Sequence, residues 1–168
     1  AFGYVNEASG LASSALGFRN KAASENASAV GYGNNANALA ASAVGYNNTA
    51  GGVGSSTIGY NNTATNENAS AFGYGNTAGG LASSAFGFSN TASGDNANAF
   101  GYNNIASGSK SNVFGTGNTV SGSSSTAVGT ANEVAAENST AIGNNNTISS
   151  GAENSAALGN NISINLKD

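Results

Sequence analysis

Few residues in this chain can do acid–base, nucleophilic or redox chemistry. His and Cys are both absent from the 168 residues. That removes His-dependent proton transfer, catalytic triads, thiolate chemistry, disulfides and the usual zinc sites. Eight acidic residues remain. Glycoside hydrolysis needs two facing carboxylates. Glu133 and Glu137 are close in the chain, but their spacing puts them at opposite ends of one short element, and the acids are expected on turns of separate coils. A calcium repeat of the G-G-x-G-x-D kind needs recurrent Asp, and Asp95 is the only one before the last residue. No catalytic, cofactor or metal site is therefore expected. The four Lys and Arg are scattered and make no basic patch for nucleic acid. The N-x-S/T sequons at Asn26, Asn47, Asn61, Asn68, Asn138, Asn145 and Asn161 are as frequent as this composition produces by chance.

What positions these residues is a repeat. Gly3, Gly17, Gly31, Gly45, Gly59, Gly73, Gly87, Gly101, Gly115, Gly129 and Gly143 recur every fourteen residues, and an Asn follows each by three. A twelfth copy, Ala157-Leu158-Gly159, arrives two residues late, so an insertion is expected between Ser149 and Asn154. With Ala1 as position one, the copy from Ala71 to Ser84 reads AFGYGNTAGGLASS. Position one is Ala in ten of twelve copies, and position eight is Ala from Ala8 to Ala106 before becoming Val120, Val134 and Ile148.

A fourteen-residue repeat is too short for a helix pair or a propeller blade. It fits one coil of a β-solenoid. Positions fourteen to four alternate as a strand does, with two and four on one face and one and three on the other. A second short strand falls within positions six to eleven, and Asn, Gly and Ser at six, nine, ten and thirteen suit turns. Twelve coils at the strand spacing make a rod about 55–60 Å long.

The faces carry the functional argument. A coil this small has room inside only for Ala, Gly and Ser, so positions one, three and eight are expected to fill it. The large side chains then point outward. At position two these are Phe2, Leu16, Val30, Val44, Ile58, Phe72, Phe86, Phe100, Phe114, Val128, Ile142 and Leu158. At position four they are Tyr4, Phe18, Tyr32, Tyr46, Tyr60, Tyr74, Phe88 and Tyr102. Such a stripe exceeds what a soluble monomer exposes, so it is expected to be buried against other copies of the chain. The alternative, a monomer with two and four inside, would leave the Ala columns on the surface. After Tyr102 position four turns to Thr116, Thr130 and Asn144. The last coils are expected to pack differently, with polar layers able to hold water or an anion.

Composition agrees with this division. Ala, Asn, Ser and Gly make up 111 residues, while Leu, Ile, Val and Phe number 27. That is too little large apolar material for a conventional core. Yet only 7% of residues are charged, so the usual driver of disorder is missing. No apolar run approaches a membrane-spanning length and no signal peptide is visible, so no membrane insertion is expected of this segment. Opening on Ala1 rather than Met, the chain is expected to be part of a longer or processed protein.

The columns resemble the head repeats of trimeric autotransporter adhesins, the YadA-like family of Gram-negative bacteria. The likeness is carried by NASAVG (Asn26 to Gly31), NASAFG (Asn68 to Gly73), NSTAIG (Asn138 to Gly143) and NSAALG (Asn154 to Gly159). It covers residues 1–161, with 162–168 read as the start of a connector or a C-terminal tail. The resemblance implies an all-β, left-handed parallel β-roll assembled as a homotrimer, carried at the bacterial cell surface on an outer-membrane-anchored fibre. It also implies adhesion to host matrix proteins, cells or abiotic surfaces. Candidate ligand contacts are the outward columns: Thr49, Thr63, Thr77, Thr91 and Thr119 at position seven, with the scattered charges Arg19, Lys21 and, at position eleven, Glu25, Glu67 and Asp95. The same Thr column allows a second reading, an ice-binding solenoid.

Overall fold

The computed structural model describes residues 1–165. Every element is a strand. Twelve long strands, from Phe2–Tyr4 to Ala156–Asn160, alternate with twelve two-residue strands, from Glu7–Ala8 to Ser163–Ile164. The long strands form one sheet and the short strands another, each twelve-stranded and ordered as in the chain. All pairing is parallel, and like residues face like: Ala71 pairs with Ala85, Phe72 with Phe86, Gly73 with Gly87. Only the last long strand breaks the step of fourteen. Thr140 pairs with Ala156, the expected two-residue insertion. It is absorbed in a turn in which the Ala152 N–H donates to the Ser149 carbonyl at 3.1 Å. Ser163–Ile164 pairs with Thr147–Ile148, so the strand pairing runs beyond residue 161. The remainder of the expected connector, 166–168, lies outside the described residues.

Each coil satisfies its backbone on the next. The Thr63 N–H donates to the Asn76 carbonyl at 2.9 Å, and the Ser70 N–H to that of Ser83 at 2.9 Å. The corners are where the chain turns left-handed. Positions five and twelve carry positive φ throughout, as in Arg19 (54°), Asn47 (58°), Asn26 (57°) and Asn68 (56°). Left-handed geometry therefore lies at these positions and not at the position-six Asn, where local propensity places it.

That Asn has a different task. Asn20, Asn34, Asn48, Asn62, Asn76, Asn90, Asn104, Asn118, Asn132 and Asn146 are fully buried inside the roll. Asn76 shows the pattern. Its N–H and Nδ2 both donate to Asn62 Oδ1 at 3.0 Å. Nδ2 also reaches the Phe72 carbonyl at 2.9 Å and the Gly87 carbonyl at 2.8 Å. The amides thus form a continuous ladder up the roll, ending where Ile162 N–H donates to Asn146 Oδ1. The expectation that the interior admits only Ala, Gly and Ser is corrected accordingly. A buried amide is tolerated because its polar atoms are bonded coil after coil.

The apolar interior is otherwise small, as the Ala columns require. Positions one, eight and thirteen face inward, with Ala22, Ala29, Ala43, Ala71 and Ala78 fully buried. Towards the C-terminus it thickens: Val113, Val120, Val134 and Ile148 are the largest fully buried apolar side chains. Position three does not fill the interior as expected, since Gly31, Gly73 and Gly87 lie exposed. Glycine is required there by backbone approach. Gly73 has φ +118°, and an added Cβ would sit 2.1 Å from the Gly87 carbonyl oxygen.

Replacing Asn76 by Ala removes the donors to two carbonyls and orphans its ladder neighbours. It should cost upwards of about 3 kcal/mol by chemical denaturation, at about 1–3 kcal/mol per unpaired buried group. The adjacent exposed Thr77→Ala should stay within about 0.5 kcal/mol. Ile148→Ala should cost about 2–5 kcal/mol, because the stacked backbone cannot collapse into the vacated space.

Candidate functional site

With Ala at positions one and eight turned inward, the alternation of the long strand drives positions two and four outward. The alternative in which these side chains fill the roll is thereby excluded. The result is one apolar face running the length of the long sheet. Because the register is strict, each large side chain lies directly over its counterpart. Tyr4, Phe18, Tyr32, Tyr46, Tyr60, Tyr74, Phe88 and Tyr102 form a single stack, with centroids 4.8–5.4 Å apart and planes within 15°. Phe72, Phe86, Phe100 and Phe114 form a second at position two, 4.8–5.3 Å apart. The spacing is that of the strands, imposed by the backbone rather than chosen by the rings. Self-stacking covers the ring faces and leaves the edges open: Tyr46 remains 42% and Tyr102 53% exposed.

The face has internal structure. A shallow depression of about 360 Å³ at its N-terminal end is lined by Phe2, Ser14, Leu16 and Val30. Beyond Tyr102 the position-four column becomes polar, and Asn144 Nδ2 donates to Asn160 Oδ1 at 2.8 Å. Over these same coils the interior gains Val120, Val134 and Ile148. Bulk therefore passes from the outer face into the roll.

The candidate ligand residues do not converge. Arg19 belongs to the corner beside the aromatic stack, its guanidinium 5.2 Å from the Phe18 ring centroid. Lys21 lies on the short sheet and pairs with Glu7 at 3.4 Å. Both partners are about half exposed, and such a pair contributes little stability. Thr49, Thr63, Thr77 and Thr91 stand in register on that same short sheet. Ile105 then separates them from Thr119. The acids are not all on turns as expected, because Glu7 and Glu133 lie in short strands. Among the described residues no three His, Cys, Asp or Glu come together.

One feature was missed from sequence. Besides the acids Glu25, Glu67 and Asp95, position eleven presents Leu11, Leu39, Val53 and Leu81, exposed by 43–75%. Apolar residues recurring in a turn column were the available signal.

The architecture can now be set beside known proteins. The YadA head domain repeat model matches residues 8–34, 22–48, 50–76, 78–104 and 121–146. In a comparison with curated protein sequences, none matches the chain. The matched segments span well over half of the chain and follow the same fourteen-residue step as the coils, so this chain belongs to the YadA head repeat family.

Proposed function

We propose that this chain is the head segment of a trimeric surface adhesin, non-catalytic, carried at the far end of an outer-membrane-anchored fibre. The observation that carries the reading is the exposed apolar face, continuous at position two from Phe2 to Leu158 and doubled at position four as far as Tyr102. Three rolls set around a common axis, with these faces inward, bury it, and the trimer becomes the folding unit. The short strands then remain outside. They are rich in amides and hydroxyls, nearly uncharged, and repeated on three chains. Contacts that are weak one at a time then add by avidity to host matrix proteins, cell surfaces or abiotic materials. The ice-binding alternative is not favoured, since Lys21, Asn35, Ile105 and Glu133 interrupt the Thr column.

Sedimentation combined with circular dichroism should find a folded trimer and no folded monomer on dilution. A soluble, folded monomer would sink the proposal. Phe86→Ser, in the middle of the Phe stack, should destabilise the assembly by about 1.5–3 kcal/mol per chain, read from its denaturation midpoint. The trimer should be retained on at least one of collagen, fibronectin, laminin and bare plastic. Thr77→Ala should change that binding less than about twofold, whereas a chain made monomeric should lose about 100-fold or more.

A further inference from the structure

The two edges of the long sheet differ, and their difference points to how the ring closes. All twelve long strands run the same way. Three identical sheets around an axis parallel to the roll must then meet head to tail: the edge where strands end on one protomer faces the edge where they begin on the next. This step rests on the trimeric reading above.

The ending edge carries the position-four stack and the position-five corner, with Arg19 against Phe18. The beginning edge carries position eleven, three residues before each long strand, where Leu39 precedes Ser42–Tyr46. Here the exposed Leu11, Leu39, Val53 and Leu81 alternate with Glu25, Glu67 and Asp95. Both edges change character within two coils of each other. The aromatic stack ends at Tyr102. Large apolar residues at position eleven end at Leu81 and its acids at Asp95, and the coil of Tyr102 already carries Ser109, followed by Ser123. Nothing within one roll couples these columns, since they lie at opposite ends of the strand. A contact between protomers does couple them. The charges agree: among the described residues the one ion pair is Lys21–Glu7, and neither Arg19 nor Glu25 is salt-bridged there.

We infer that the aromatic column of one protomer packs against the position-eleven corner of the next, with Arg19 facing Glu25 of the neighbouring protomer. The occupant of each exposed edge is thus a second copy of this chain. In that register the Tyr60 hydroxyl meets Glu67, and Leu11, Leu39, Val53 and Leu81 pack against the ring edges of Tyr4, Tyr32, Tyr46 and Tyr74. The contact is confined to the coils before Tyr102.

Because the chain has no Cys, cross-linking can test this directly. Tyr32→Cys and Leu39→Cys are combined and treated with a flexible bis-maleimide long enough to bridge one coil step. The double variant should yield a covalent three-chain species. Either single variant has one thiol per chain and can go no further than two chains. A double variant that sediments as a trimer but gives no three-chain product overturns the edge pairing and leaves the trimeric reading standing. Absence of any trimer by sedimentation removes both. As a second arm, R19E and E25R should each raise the concentration at half-dissociation by about tenfold, and the two together should bring it back towards the parent value. Indifferent single variants, or a double variant that is not restored, overturn the Arg19–Glu25 contact.

Discussion

Everything in this molecule depends on parallel stacking of like residue on like, one strand spacing apart. A residue at a given position meets the same position above and below. A side chain that cannot tolerate its own image at about 4.7–4.9 Å is excluded from that column. Asn passes this test inside the roll because its amide is donor and acceptor at once, and Asn62 and Asn76 complete each other. Ala passes because it is small. Gly73 passes because no other residue tolerates both its φ and the Gly87 carbonyl.

The same constraint accounts for the sparse charge. Like charges in adjacent coils would repel along the whole column. Glu7 and Lys21, adjacent in register, are opposite, and like charges follow one another at Glu137 and Glu153, where the insertion breaks the step of fourteen. Elsewhere they are spaced by neutral neighbours: Glu133 stands between Thr119 and Thr147. The acids at position eleven before Ser109 are separated by Leu39, Val53 and Leu81. Low charge is thus a product of the stacking, and it leaves a surface suited to many weak polar contacts rather than to one strong one.

A roll filled by Ala and Asn has little hydrophobic burial of its own. Ala buries little surface, and the ladder amides stabilise mainly by leaving nothing unpaired. The large apolar groups that could supply the missing burial stand on the outside, from Phe2 to Leu158. Only towards the C-terminus, at Val120, Val134 and Ile148, does the roll carry larger groups within. On the trimeric reading proposed above, stability and assembly are the same question for most of this chain.

The period, the strand alternation, the inward Ala and the outward aromatic column were all legible in the sequence, because each depends on spacing along one chain. The insertion before Asn154 was legible for the same reason. Two things were not. The position-six Asn looked like a turn residue because local propensity says so. It became a buried ladder only because Asn62, Asn76 and Asn90 are brought into register by coils fourteen residues apart. The position-eleven corner looked like a line of acids until Leu39 and Leu81 were seen exposed at the edge opposite the aromatic stack. The sequence by itself determined which residues share a column. The tertiary structure decided which columns face inward, which bond to themselves and which lie at opposite edges, because those relations exist only once the coils are stacked.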